Sequence, residues 1–384
     1  IKLRIVDDYI YATDTTLGAD NGIAVAYFLA VLDSEDIIHP PLEVLITTDE
    51  ENGMSGVKKL DGSQFDGTIL LNMDSDGEGI FTVGCAGGGR VLLKVPVKRI
   101  DAKYKTAYKL FIKGLQGGHS GEDIDKEKGN ANKLIGRILY NLNEEVEIQI
   151  AEIKGGSKAN AIPREAEAII LTDDIEKVKE LVKRWDYILK NEYKFTDTKI
   201  QVSVEKADHI SKVLDQETVF KMLSAINLTP NGPRVKSTEI DLVIHSNNLG
   251  VITTEEDYII LTSVPRSSSE TLMDDFISSL KQLAKTLDIE YEEIAFYPGW
   301  EYAKESPIKE LCMQTYEDLT GNKAQAKAFH YGLECGYLIE KIKKLDAISF
   351  GPVTLDVHTP SEHLSISSTE QTYDLLCQIL KRIK

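Results

Sequence analysis

Behind Asp20 the apolar residues Ile23, Val25, Ala26, Phe28, Leu29 and Leu32 recur at helical spacing, which predicts a helix capped by that aspartate. Two short apolar runs follow, Leu42–Thr47 and Thr68–Leu71, and both read as fully buried strands. The first runs into Asp49, Glu50 and Glu51, and the second into Asp74 and Asp76. Strands that are apolar along their whole length and separated by helices predict a parallel α/β sheet. Ligands of such sheets sit beyond the carboxyl ends of the strands, where these acids lie.

From about residue 90 the texture changes to two-residue alternation. Strands are expected at Ala107–Lys113, Val146–Ile153, Glu165–Leu171 and Lys199–Val204, with helices at Ala131–Leu142 and Ile175–Leu189. A looser second round closes with a helix over Glu270–Leu287. Units of two helices and four strands in this order are ferredoxin-like. Beyond about residue 297 the α/β pattern returns: a helix near Ile308–Leu319, a strand at Asp346–Phe350 and a closing helix from Thr369. The expected architecture is one α/β domain, residues 1–89 and 297–384, with a mainly parallel central sheet. A large α+β domain, residues 90–296, is inserted into it.

Composition narrows the function. The 384 residues are 42% hydrophobic, enough for a packed core, and carry a formal charge of −18. Such a surface repels phosphate backbones and anionic headgroups, so nucleic acid and membrane are poor partners and a cation is a natural ligand. No apolar stretch approaches the roughly 18 residues of a membrane span. Cys85, Cys312, Cys335 and Cys377 are too scattered for a zinc ribbon or a disulfide framework, which suits a reduced, cytoplasmic setting.

The strongest chemical signal is Asp49-Glu50-Glu51 at the end of an apolar run. Three adjacent carboxylates repel one another unless a positive charge lies between them; alone, such a run is ordinarily a solvated helix start. Asp20 and Asp74 follow turn- or strand-like segments on the same expected sheet edge, so the acids can converge on a divalent metal, with one carboxylate left to act as general base on water. Two of the seven histidines have suggestive surroundings. His358 follows a strand in the last α/β region, and glycines flank His119 in Gly117-Gly118-His119-Ser120-Gly121. His39, His209 and His363 read as ordinary residues. Asn160 stands at a strand entry, and Arg266 precedes a helix with a guanidinium suited to a two-pronged grip on carboxylate. Gly87-Gly88-Gly89 has neither P-loop nor dinucleotide spacing.

Taken in order, TTLGADNG, HPPLEVLITTDEENGM, the Asp74–Gly79 run, GCAGG, GGHSG, NAIP, the Arg266–Ser269 run, GLECG and HTPSE resemble the aminoacyl-histidine dipeptidases, within the larger group of di-zinc aminoacylases and carboxypeptidases. The resemblance covers nearly the whole chain. It implies a two-zinc hydrolase with an inserted lid, Mn2+ or Co2+ being possible substitutes. Asp20 matches the carboxylate that bridges both metals, Glu51 and Asp74 match one ligand of each, and His358 matches the final ligand. Glu50 matches the general base, and His119 the lid histidine that polarises the scissile carbonyl. Asn160 and Arg266 match groups that fix the substrate backbone or carboxylate, and Glu334 and Cys335 fall in the pocket wall.

The implied substrates are small unblocked peptides, Xaa-His dipeptides among them, for a monomer or homodimer. The same chemistry allows an aminoacylase or a tripeptidase. One motif departs from the pattern: the family carries a His-x-Asp element upstream of the bridging aspartate, and here the first histidine is His39. The expectation is therefore a protein whose given stretch starts after that element and by itself binds metal weakly. The other reading is a non-catalytic metal-binding scaffold.

Overall fold

A computed structural model describes residues 1–238 and 242–383. They form two compact units, one of Ile1–Cys85 with Pro298–Lys384, the other Ala86–Tyr297.

In the first unit, a four-stranded sheet runs Gln325–Phe329, Ile80–Cys85, Asp346–Ser349, Ile69–Asn72. Its two outer pairs are parallel, with Gln325 opposite Ile80 and Asp346 opposite Ile69, and a short antiparallel contact, Ser349 to Thr82, joins them. Helices Ala19–Asp33, Pro307–Thr320 and Ile366–Arg382 pack Tyr27, Val31, Ile308, Cys312, Leu376 and Ile379 against Phe81, Ile348 and Phe350. The second of these helices has clear local signals at both ends. Ser306 accepts from the Lys309 N–H at 3.2 Å, Pro307 occupies the first turn, and Gly321 closes the helix at φ 72°. A second small sheet ties both ends of the chain together: the hairpin Leu3–Val6/Tyr9–Ala12 pairs with His363–Ser365, which pairs with Thr354–Leu355. His363 is absorbed there, its ring stacked on Tyr11 at 4.7 Å.

Three expectations fail in this unit: the strand expected at Thr68–Leu71 forms as Ile69–Asn72 but is not fully buried, with Ile69 exposed. Leu42–Thr47 is apolar enough for a buried strand, yet it forms none: it is irregular, without a ladder partner among the described residues, with Val44 and Ile46 exposed. Asp20 does not cap its helix either. Gly18, at φ 73°, occupies the cap position, and Asp20 has non-helical φ −87° and ψ 103° inside the first turn. This dihedral pair takes the Asp20 carboxylate out of the helical pattern.

The second unit is built on a nine-stranded antiparallel sheet. Its path runs Gln201–Lys206, Ala107–Lys113, Ala166–Leu171, Gln149–Gly155, Leu242–Thr254, Tyr258–Ser267, Gly87–Pro96 and Glu290–Tyr297, with Gly232–Ser237 added on Leu242–Thr254. Helices Ala131–Glu145, Ile175–Glu192, Gln216–Leu228 and Glu270–Leu287 cover it. The first three start at acceptors expected of helix caps: Asn130, Asp174 and Asp215 each take a backbone N–H three residues on. Ile135, Ile138, Leu139, Leu142, Leu181 and Trp185 form the helix side of its core, and Leu110, Ile112, Ile153 and Ile170 the sheet side. No helix among the described residues is long and apolar enough to cross a membrane.

Candidate metal centre

Loops of the first unit gather the acids. Asp20 lies in the first turn of its helix, and Glu50 and Glu51 follow the irregular segment Leu42–Thr47. Asp74 follows the strand Ile69–Asn72, and His358 the two-residue strand Thr354–Leu355. His358 Nε2 stands 2.9 Å from Glu51 Oε1 and 3.1 Å from Asp20 Oδ2. One donor atom from each of these three residues lies within 4.8 Å of the others. Asp49, Asp356 and His358 all have left-handed backbone, at φ 63°, 53° and 62°. Such strain in residues other than glycine gathers where surrounding structure enforces a geometry.

Asp74 stands outside that trio and meets it through Asn21, whose amide donates to Asp74 Oδ1 at 3.1 Å. Burial, then the negative charges of Glu50, Asp20, Glu334 and Asp76, push Asp74 up to about 7. Glu50 is likewise pushed up to about 7, by burial first and then by Glu51, Glu334 and Asp20. Glu334 is 9% exposed; Thr47 Oγ1 donates to its Oε2 at 2.6 Å, while its Oε1 is buried without a partner among the described residues. Burial raises the pKa of its carboxyl as well. The His358 imidazole, with burial working against it, is carried above its ordinary value by Glu51 and Asp20. Clustered carboxylates that resist ionisation, with one imidazole among them, are the donor chemistry of a divalent-cation site, because a bound cation reverses every one of these penalties. The residues present therefore fit a metal. A cavity of about 800 Å3 is lined by Asp20, Glu50, Glu51, Asp74 and Glu334 together with apolar Val25, Phe28, Leu45 and Leu71.

The second unit holds the remaining candidates. His119 lies on a two-residue strand paired with Ala161–Ile162, which sets His119 opposite Ala161 and lets Ser120 N–H donate to the Asn160 carbonyl at 2.9 Å. Burial, then the charge of Arg266, hold the His119 imidazole below its ordinary value, so it is neutral near pH 7. Its Nδ1 is buried without a partner among the described residues. Arg266 is 6% exposed and donates to the Tyr297 hydroxyl at 3.2 Å, while its Nε has no partner among the described residues. The Asn160 side chain is exposed.

Comparisons with known proteins identify the family. Residues 108–197 match the M20 family's peptidase dimerisation domain. The cytosol non-specific dipeptidase of Escherichia coli K12 is 36% identical over 389 residues, a match that covers 100% of this chain and 80% of that protein. The chain belongs to this dipeptidase family. The crystal structure of aminoacylhistidine dipeptidase from Vibrio alginolyticus covers 100% of the chain and 79% of its own, with a TM-score of 0.95 and 36% identity. Aminopeptidase PepT from Bacillus cereus, at 16% identity and a TM-score of 0.52 over 99% of this chain and 76% of its own, shares the fold. As a member of the dipeptidase family the protein is an M20 metallopeptidase that hydrolyses dipeptides.

Three residues that hydrogen-bond within this cluster are not among those the sequence singles out. Asn21, Thr47 and Glu362 all lie inside runs that carry the resemblance, but their partners are distant in the chain. Glu362 is 3% exposed and accepts from three consecutive amides at residues 18 to 20. Its burial was the missing signal.

Proposed function

We propose that the protein hydrolyses unblocked dipeptides, Xaa-His dipeptides among them, with two zinc ions held by Asp20, Glu51, Asp74 and His358. The observation that carries this reading is the convergence of Asp20, Glu51 and His358 donor atoms within 4.8 Å, beside a Glu50 whose carboxyl is pushed up to about 7. Asp20 would be shared by the two ions, with Glu51 on one and Asp74 on the other. When bound, the metal supplies Lewis acidity and brings the pKa of water toward neutrality.

The chain's own groups do the rest. Glu50, adjacent to a ligand but not itself one, takes the proton of the attacking water and returns it to the leaving amine. A carboxylate placed beside the ligands without binding metal is suited to both transfers. Neutral His119 offers an N–H to the oxygen that gains charge at the scissile carbonyl. Arg266 grips the terminal carboxylate in bidentate fashion, Asn160 hydrogen-bonds the peptide backbone, and Glu334 forms part of the pocket wall. The dimerisation-domain match over residues 108–197 supports a homodimer, and the cytosolic E. coli relative supports a cytoplasmic setting.

The test is reconstitution of metal-free protein with Zn2+, Mn2+ or Co2+, assayed on carnosine-like and other Xaa-His dipeptides alongside N-acetylated dipeptides. Chelator-sensitive cleavage of free dipeptides is expected. Cleavage of the acetylated series alone would make the protein an aminoacylase, and no chelator-sensitive cleavage of either would remove the proposal.

A further inference from the structure

We infer that Glu362 is a positioning residue for the metal centre: it fixes the backbone under Asp20 so that this carboxylate meets His358. The inference rests on the metal-binding reading above.

The helix that begins at Ala19 has free N–H groups at its start, and its cap residue Gly18 has no side chain to satisfy them. Glu362 fills that role from the far end of the chain. Its Oε2 accepts from Gly18 N–H at 2.9 Å, and its Oε1 accepts from Ala19 at 2.8 Å and Asp20 at 3.2 Å. At 3% exposure, this side chain is turned inward onto those three amides.

An ordinary capping side chain would serve one or two N–H groups and leave the first turn helical. Here the peptide that is held does not stay helical: Asp20, at φ −87° and ψ 103°, departs from the helix while its own N–H remains tied to Glu362. The clamp therefore acts on the residue whose carboxylate reaches His358 at 3.1 Å.

The clamp and the ligand also share one loop. His358 and Glu362 are four positions apart, and the turn between them is closed by Thr359 Oγ1 donating to Asp356 O at 2.7 Å, Glu362 N–H to Thr359 O at 3.1 Å and Ser361 N–H to Thr359 Oγ1 at 3.1 Å. One hydrogen-bonded turn thus presents an imidazole and, through Glu362, sets the position of a carboxylate that meets it. Groups that orient ligands in this way commonly change metal affinity 10- to 100-fold when altered.

The experiment is a Zn2+ titration of the full chain against a competing chromophoric chelator, for the unaltered protein, E362Q, E362D and a control, D197N, with melting of each metal-free protein measured in parallel. E362Q keeps size but turns an amide NH2 toward N–H donors, and E362D keeps the charge at shorter reach. Asp197 is a buried carboxylate of the second unit that accepts backbone N–H groups from Gln116 and Gly129. The expected result is a 10- to 100-fold loss of Zn2+ affinity in E362Q, a smaller loss in E362D, and a D197N protein that melts lower yet binds zinc as before. Affinity of E362D and of any folded E362Q within twofold of the unaltered protein would overturn the role of Glu362. So would a loss no larger than that of D197N at equal loss of stability. If the unaltered protein takes up no divalent metal, the metal-binding reading falls and this inference falls with it.

Discussion

His358 Nε2 lies 2.9 Å from Glu51 Oε1 although 307 residues separate the two. Neither side chain is rare, and neither is deeply buried. What makes the pair informative is that Asp20 closes on the same nitrogen, so one imidazole holds together carboxylates that would otherwise repel. Three donors from distant parts of the chain are thus held on one side by the fold.

Removing the base without removing a ligand should separate chemistry from metal binding. Glu50→Gln is expected to lower kcat by about 10²–10⁴-fold, with metal content by atomic emission within error of the unaltered protein. Equal loss of both would place Glu50 among the ligands.

Metal removal should be visible in stability as well as in turnover. A ligand bound only by the folded state stabilises by about 2.7 kcal/mol when present at a hundred times its dissociation constant. Dialysis against a chelator is therefore expected to lower the melting temperature by several degrees, and added Zn2+ to restore it. The shift should grow with the logarithm of free metal.

Acid should weaken the second unit through His245. This residue is 1% exposed, with neither ring nitrogen partnered among the described residues, and it packs against Phe276. Burial, then the charge of Arg234, with Asp275 acting in opposition, bring it from 6.5 down to about 4. The unfolded chain thus binds a proton that the folded chain refuses between those values. The stability is whole above pH 6.5 and is lost as pH falls toward 4, by about 2 kcal/mol at pH 5. Urea midpoints at pH 7.5 and pH 5 should lie closer together in His245→Asn than in the unaltered protein.

Gly156 should not tolerate a side chain. Its φ is 70°, and a β-carbon there would run into the carbonyl oxygen of Gly250. Gly156→Ala is expected to cost about 2–4 kcal/mol in chemical denaturation, with the metal affinity of the folded fraction unchanged, since the strain sits in the second unit.

Much of this was legible along the chain because the signals are local. Glu270–Leu287 is a helix at the bounds its apolar spacing predicts, and Ala107–Lys113 is a strand over the same residues. Leu42–Thr47 was misread because an apolar run reports burial and propensity, whereas a strand also needs a neighbour with free backbone groups, which no local pattern encodes. Asp20 was misread for the opposite reason. It has the ordinary chemistry of a cap, but a glutamate far along the chain had already taken that task and freed its carboxylate for His358. The acids and the imidazole could be named from their motifs; which of them touch was a property of the tertiary fold.

The clamp between residues 18–20 and Glu362 also sets a clock. Asp20 and His358 are 338 positions apart, so at a synthesis rate of about 5–20 residues per second roughly 17–70 s pass between the making of the one and of the other. During that interval Asp20, Glu51 and Asp74 lack both their imidazole and the carboxylate that shapes the first turn. A nascent chain halted before His358 therefore has these acids without the imidazole that meets Asp20 and Glu51.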